Sequence, residues 1–411
     1  MSHYKPYPAY RDSGVKWIGQ VPEHWKKMPF KRVASICNGH DYKEVESADG
    51  AYPVIGSGGE FARASDFMFD GESVLLGRKG TIDKPLYING PFWAVDTMFY
   101  TKIADNAFPK FVYYNALTIP FGLYSTNTAL PSMAGEDLSS HVIAAPEFEE
   151  QKAIAVGVDR ETARIDALIA KKTRFIELLK EKRQALITHA VTKGLDPNVP
   201  MKDSGVEWIG KVPAHWNVVQ SRRLFEERRE RAREGDVQFT ASQKYGVIPQ
   251  TEFMEKEGRR VMLVGKGQDI LKHIEPGDFL ISMRSFEGGL EECRGSGSVS
   301  SAYVPLIPVK WVWNPFFKYL FKSNGYIQAL QSTSDLVRDG QALRFENFSK
   351  VSLLEIPIDE QKQISVALDR ETARIDLLAD KTQRSINLLK ERRAAFITAA
   401  VTGQIDLRES A

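Results

Sequence analysis

Residues 150–192 read EQKAIAVGVDRETARIDALIAKKTRFIELLKEKRQALITHAVT, and from Glu360 the chain repeats the statement as EQKQISVALDRETARIDLLADKTQRSINLLKERRAAFITAAVT, displaced by 210. Apolar residues recur at heptad-like spacing through Val158, Ile165, Leu179 and Leu186 in the first copy and through Leu368, Ile375, Leu389 and Phe396 in the second. Neither copy contains proline, and no glycine follows Gly157 inside the first. Each therefore predicts one long helix, roughly 60 Å at 1.5 Å per residue. A lone helix of that length would leave its apolar stripe wet, so the two are expected to pack on each other. Thr162, Lys172 and Arg183, matched by Thr372, Thr382 and Arg393, interrupt the stripe at equivalent places and are candidates to set its register. The alternative is a solvated helix supported only by its own Glu and Lys pairs.

Working outward, a second block is also written twice. DSGVKWIGQVPEHW at 12–25 returns as DSGVEWIGKVPAHW at 203–216, identical at 11 of 14 positions and displaced by 191. Trp17 and Trp25, like Trp208 and Trp216, bracket a Gly-x-Val-Pro turn, where large rings are expected to clamp a connector onto a neighbouring core, with His24 and His215 packed beside them. The two displacements differ, so the cassettes between the repeated blocks differ in length. A frame kept twice around divergent inserts predicts one fixed partner for the frame and two different targets for the inserts.

The cassettes, 26–145 and 217–355, carry short apolar runs bounded by turn formers, among them SVLLG at 73–77, PLYI at 85–88, RVMLV at 260–264 and DFLIS at 278–282. Mixed α/β domains rich in strand are expected. A sparse repeat aligns Arg78 with Arg284, and Pro109, Phe111 and Tyr113 with Pro315, Phe317 and Tyr319, all at a displacement of 206. That places 15 of the extra residues before this core and about four after it. The expected organisation is a connector at 1–25, a cassette at 26–145, a helix at 146–195, a connector at 196–216, a cassette at 217–355, a helix at 356–406 and a tail at 407–411.

Composition excludes several classes. With 43% apolar and 26% charged residues the chain reads as globular, and a net charge of +2 restricts any basic surface to local patches. The start MSHYKPYPAYRDSG lacks the apolar run of a signal peptide, and no stretch is apolar enough for a membrane helix, which points to the cytoplasm. Cys37 and Cys293 stand alone, so no Cys-x-x-Cys metal clip is available. No phosphate loop, HExxH or GxSxG is present, and no catalytic or metal site is assigned. Asn314-Pro315-Phe316 lacks the second proline of the adenine methyltransferase motif, and Glu23 with Asp41-x-Lys43 makes only a degenerate nuclease pattern whose Glu becomes Ala214 in the other copy. The glycines of GSGG at 56–59 and GKG at 265–267 read as turn formers. RRLFEERRERAR at 222–233 alternates arginine with glutamate and reads as a solvated helix, with a DNA-facing surface as the alternative.

The doubled WIGxVPxHW frame, LLGRKG at 75–80, ISMRSFEGG at 281–289 and the doubled EQKxI…DRETARID helices together resemble the specificity subunit of type I restriction-modification systems. The resemblance implies an α+β fold in which two mixed α/β target recognition domains are separated by two long antiparallel coiled-coil helices, with a pseudo-twofold internal repeat. It implies that each cassette reads one half of a bipartite DNA site. It places adenine methylation in two partner modification subunits and ATP-driven cleavage in partner restriction subunits. S-adenosylmethionine, ATP and Mg then belong to those partners, and this subunit carries no cofactor. Arg78 and Lys79, and Arg284 and Ser285, at predicted strand ends beside Gly turns, are the candidate DNA contacts. Residues that match between readers of different sequences are expected to touch phosphate, and base readout to come from parts without counterparts, around 41–63 and 238–260. The order of the repeated parts predicts a closed pattern with neighbouring termini. A tandem scaffold binding protein or glycan ligands is the alternative from a different class.

Overall fold

In the computed structural model, residues 4–126, 131–258, 270–282, 285–333 and 343–408 are described. The chain divides into two compact units, Met1–Thr173 with Gln383–Ala411, and Arg174–Thr382. The divisions fall within the two long helices, Phe148–Lys193 and Ile358–Val401, 46 and 44 residues long. Each helix opens with two carboxylates in its first turn, Glu149 and Glu150 or Asp359 and Glu360, where they complement the exposed N–H groups of the helix start. Left-handed glycines stand just past the ends, Gly194 at φ 76° and Gly403 at φ 74°.

Within each unit a segment of one helix lies beside a segment of the other, running in opposite directions. In the second unit Gly194 adjoins Glu360 while Arg183 bonds Asp376. In the first, Gly157 adjoins Leu407, just beyond its helix, while Asp166 bonds Arg393. Of the stripe residues, Val158, Ile165, Leu179, Leu368, Ile375 and Phe396 are buried, and Leu186 and Leu389 are half-buried. Thr162, Thr372 and Thr382 are buried with their hydroxyls turned back onto carbonyls four residues earlier, so they interrupt the stripe without leaving a polar group unsatisfied.

The first cassette is built on a six-stranded sheet. Its order is Ala34–Asn38, Met98–Ile103, Phe69–Gly77, Leu86–Ala94, Tyr52–Gly56 and Gly59–Ala64, and one neighbouring pair, Tyr52–Gly56 with Leu86–Ala94, is parallel. Alternation along the central strand sends Val74 and Leu76 to one core, with Phe30 and Val112, and Leu75 to another, with Phe92 and Tyr100. Gly56 pairs with Gly59 across the hairpin loop Ser57–Gly58, so this part of GSGG does form a turn.

The second cassette is assembled differently. Among the described residues it has a four-stranded antiparallel sheet, in the order Phe225–Glu227, Val304–Pro308, Phe279–Ile281 and Glu291–Glu292. Three further strand pairs lie outside that sheet: the hairpin Phe239–Ser242 with Gly246–Pro249, Lys272–Ile274 with Gly297–Val299, and Asn217–Gln220 with Ser352–Glu355, the last matching Lys26–Pro29 with Val142–Ala145 in the first cassette. RVMLV at 260–264 and GKG at 265–267 lie outside the described residues.

RRLFEERRERAR does not form the expected helix. Ser221–Arg223 makes a single 3-10 turn and Phe225–Glu227 a strand. Phe225 enters an aromatic core of Phe279, Phe317, Phe321 and Phe348, and that burial overrides the helical charge pattern around it. Strand register also corrects the internal alignment. Ala34 pairs with Ile103 where Phe225 pairs with Pro308, and Leu76 pairs with Phe99 where Ile281 pairs with Val304. The displacement of the paired core is therefore 205, not 206, leaving 14 extra residues before it (205 − 191) and five after (210 − 205).

Candidate nucleic-acid interface

The repeated frame folds to the same hydrogen-bonded clamp in both units. In the first, Glu150 accepts from the Trp25 indole N–H at 3.0 Å, and its other carboxylate oxygen lies 2.8 Å from His24 Nε2. In the second, a single Glu360 oxygen accepts from the Trp216 indole at 2.9 Å and lies 2.8 Å from His215 Nε2. Both tryptophan rings are fully buried, so the carboxylate satisfies a donor that water cannot reach. Trp17, by contrast, is largely exposed and stacks on His141 with ring centres 5.2 Å apart.

The next residue of each helix anchors its cassette. Gln151 accepts from the Phe108 backbone N–H and donates to the carbonyls of Asn106 and Pro146. Gln361 does the same with Trp313 N–H and the carbonyls of Trp311 and Ile356. Two turns further along each helix, Tyr114 donates to Asp159 and Tyr319 to Asp369. Burial, reinforced by Asp369, pushes the Tyr319 phenol up to about 12, so it remains a donor at neutral pH. These equivalences again fall at 205, pairing Tyr114 rather than Tyr113 with Tyr319.

The termini meet within the first unit. The Asp406 N–H donates to the Lys5 carbonyl at 2.9 Å, Gln404 reaches the Gln20 carbonyl, and Tyr4 packs on Phe396 with ring centres 5.2 Å apart. The expectation of neighbouring chain ends is met.

Arg78 follows the central strand of the first cassette. Its N–H donates to the Thr97 carbonyl, its own carbonyl accepts from Met133 N–H, and its guanidinium lies 5.8 Å over the Phe99 ring. One guanidinium nitrogen sits 3.4 Å from the Asp96 carbonyl. Lys79 beside it is exposed. Arg78 lines a cleft of about 540 Å³ with Asn38, Ser132, Glu136 and Asp137. Arginine and asparagine in one cleft supply donors and acceptors of the kind that read base edges.

The matching residues of the second cassette fare differently. Arg284 lies outside the described residues, and at a displacement of 205 it corresponds to Lys79 rather than Arg78. Ser285 is buried at 1% exposure, and its hydroxyl accepts from the Ser282 N–H at 2.9 Å. A side chain sealed into its own turn does not reach a DNA surface, so Ser285 is withdrawn as a contact.

The second cassette holds polar constellations that sequence reasoning did not single out. Arg228 pairs with the buried Asp278 through two bonds, at 2.6 and 2.9 Å. His273, buried, lies 2.8 Å from both Asp236 and Glu275. Burial opposes its charge, but the two carboxylates outweigh it and raise the pKa. Glu275 is a near neighbour of His273 in sequence, but Asp278 lies 50 residues from Arg228 and Asp236 lies 37 from His273, separations that no local spacing marks. A cleft of about 490 Å³ beside the Gly246–Pro249 strand is lined by Gln243, Lys244, Arg294 and Lys318, of which only Gln243 and Lys244 fall in the stretches expected to carry base readout. Among the described residues no group of three His, Cys, Asp or Glu side chains is placed to hold a metal, and no helix is long and apolar enough to cross a membrane.

Residues 22–178 match the type I restriction modification DNA specificity domain. The chain is 20% identical over 196 residues to the type I restriction enzyme EcoBI specificity subunit of Escherichia coli; the match takes in 44% of this chain and 41% of that relative's length. In fold it resembles a solved chain from work on complex assembly and conformational transition of the type I R-M system, with a TM-score of 0.69 and 13% identity over 94% of this chain and 99% of that one. It also resembles the HsdS subunit from Thermoanaerobacter tengcongensis, with a TM-score of 0.51 and 15% identity over 96% of this chain and all of that one. At these identities the solved structures establish the fold, two mixed α/β domains with long helices.

Proposed function

The chain is related to the specificity subunits of type I restriction-modification systems, and from that premise we propose that it is the DNA-recognition subunit of such a complex. Each cassette reads one half of a bipartite duplex target, and the subunit itself performs no chemistry. Two modification subunits, carrying S-adenosylmethionine, methylate adenine in the half-sites. Restriction subunits, using ATP and Mg, cleave the DNA, and the complex works in the cytoplasm.

One observation carries this reading: the Glu150 and Glu360 clamps are the same, while the cassettes they hold are built differently. Frames that repeat one clamp suit two copies of one partner, and unlike cassettes suit two unlike half-sites. Arg78 and Lys79 are assigned to DNA contact, and the long helices, through Val158, Ile165, Leu179, Leu186, Leu368, Ile375, Leu389 and Phe396, to the spacer between the readers. Reading needs side chains held on a scaffold, and phosphate contacts fix the register.

The test is methylation mapping. Purified chain with S-adenosylmethionine and DNA is expected to be inert, and to direct methylation at a bipartite site once modification subunits are added. Exchanging residues 26–145 for the cassette of a relative should alter one half-site and leave the other. Methylation by the chain alone, or alteration of both halves, would overturn the reading.

A further inference from the structure

The cleft between the Gln243–Tyr245 loop and the Arg294 turn in the second cassette has both walls braced. Strands Phe239–Ser242 and Gly246–Pro249 are joined by a three-residue loop, and Gly246 at φ 76° supplies the left-handed residue that such loops need. The Ser242 hydroxyl accepts from the N–H groups of Lys244 and Tyr245, which fixes the loop backbone that carries Gln243. The ammonium groups of Lys244 and Lys256 lie over the Tyr245 ring, 4.8 and 5.0 Å from its centre, and its hydroxyl donates to Glu257. The loop is thus tied to the helix Gln250–Glu257 that follows it.

The opposite wall is equally constrained. Cys293 is buried and bridges to Val247, and Arg294 emerges exposed immediately after it. A Cβ on Gly295 would come within 2.7 Å of the Phe239 ring, and one on Gly297 within 2.4 Å of the Val237 carbonyl. The turn carrying Arg294 is therefore pressed against the hairpin at a distance that only glycine permits.

Charge in the cleft is also sorted. Its carboxylates are engaged internally: Glu291 with Lys322 at 2.7 Å, Glu292 with the Asn314 amide at 3.1 Å and Glu252 with Lys256 at 2.8 Å. Among the described residues, Arg294 and Lys318 form no ion pair. A pre-positioned guanidinium and carboxamide, with a cation beside them and the local acids occupied, match the needs of base-edge readout: a fork for guanine, an amide for adenine and a cation for the backbone.

Resting on the reading of the chain as a DNA-recognition subunit, we infer that this cleft is the base-reading site of the second cassette, with Arg294 and Gln243 as the reading side chains and Lys318 as a phosphate contact. Arg294 and Gln243 therefore determine the identity of bases in one half-site. The first cassette arranges its corresponding region as a six-stranded sheet and reads through other residues.

The experiment uses the full chain assembled with its modification subunits and a plasmid library randomised across both half-sites, read by methylation mapping and by binding to matched and scrambled duplexes. Arg294→Ala is expected to relax one base pair of one half-site by about tenfold or more, with the other half-site unchanged. Arg294→Lys keeps the charge and loses the fork, so it should also relax that position while scrambled-duplex affinity is retained. Lys318→Ala should weaken matched and scrambled duplexes alike and reduce the salt slope by about one. Unchanged preference in both Arg294 variants would overturn the assignment, as would an Arg294→Ala complex that loses affinity equally on every sequence. A wild-type complex without any bipartite preference would instead defeat the underlying proposal about function.

Discussion

The two connectors and the two cassettes have followed opposite rules. Glu150 and Glu360 make the same bonds to the same Trp and His at distances that agree within 0.1 Å (3.0 and 2.9 Å to the indole, 2.8 Å to each imidazole). The cassettes keep a common strand register, an equivalent closing strand pair (Lys26–Pro29 with Val142–Ala145, Asn217–Gln220 with Ser352–Glu355) and a helix anchored by glutamine; around these, among the described residues, one extends a six-stranded sheet and the other has a four-stranded sheet and two separate strand pairs. A buried indole that needs one acceptor at one place tolerates little change, whereas strands appended at a sheet edge change cheaply. Constancy in the frame therefore has a physical cause of its own.

The sharpest way to break the comparison is to remove the tryptophans. Trp25→Ala and Trp216→Ala each empty a fully buried site and leave a glutamate without its indole partner, and each is expected to cost about 3–5 kcal/mol. Urea unfolding of the two variants should give similar losses. A loss in one that is several-fold smaller would mean that the frames are alike in geometry and unlike in energetics.

Differences between the cassettes predict an asymmetric result. Asp278 is 2% exposed at its side chain and depends on Arg228, so Arg228→Ala leaves a buried charge unpaired and should cost about 2–4 kcal/mol, less than for a fully buried pair because the guanidinium is partly exposed. In the first cassette the corresponding register position is Ser73, whose hydroxyl bonds across to Thr101 at 2.7 Å. That hydroxyl also accepts from the Thr101 N–H at 3.0 Å, so Ser73→Ala removes two neutral bonds and should cost about 1–2 kcal/mol. Equal losses would show that the ion pair adds nothing over hydroxyls.

Acidity separates the cassettes in sign. His141, buried between Tyr124 and the Trp17 ring, is lowered by burial to about 4. The unfolded chain takes up the proton first, so this residue's contribution, on the order of 3 kcal/mol, is present above about pH 6.5 and lost as pH falls toward 4. His273 is raised by Asp236 and Glu275 against the opposing effect of burial. Its contribution is complete below about pH 6.5 and is lost as pH rises through the folded-state pKa. Urea midpoints measured from pH 4 to 8 should flatten at the acid end for His141→Asn and at the alkaline end for His273→Asn. The same slope in both variants would refute the contrast.

What could be read from sequence follows the range of the interactions involved. The helices were legible because a 3.5-residue spacing sustained over forty residues, twice, has no competing reading, and the connectors because a block of 14 returns almost intact. The cassettes were legible only as mixed α/β, since a strand as short as Glu291–Glu292 carries no period. The arginine-rich stretch at 222–233 misled because its charge alternation is local, whereas Phe225 and Arg228 answer to Phe279 and Asp278 some fifty residues on. Ser285 misled in the opposite way: a polar residue beside a glycine turn looks exposed, and here its hydroxyl closes the turn. Arg294 was missed because nothing near it in the chain announces Phe239, the ring its turn rests against.

The smallest expected effect is also the most symmetric. Asp166 meets Arg393 at 2.9 Å in the first unit, and Arg183 meets Asp376 at 3.0 Å in the second. These are the same Asp–Arg pair at a displacement of 210, made with the roles of the two helices exchanged. That exchange is the outcome expected when two copies of one sequence lie antiparallel, and it explains why arginines that interrupt the apolar stripe are matched between copies. Both pairs are about half exposed, so each is worth only about 0.2–1 kcal/mol. Double-mutant cycles with Asp166→Asn and Arg393→Gln, and with Asp376→Asn and Arg183→Gln, should return coupling energies that agree within error and shrink together as salt is raised. Coupling confined to one pair would show that register is set at one end of the helices and that the two copies are not used in the same way.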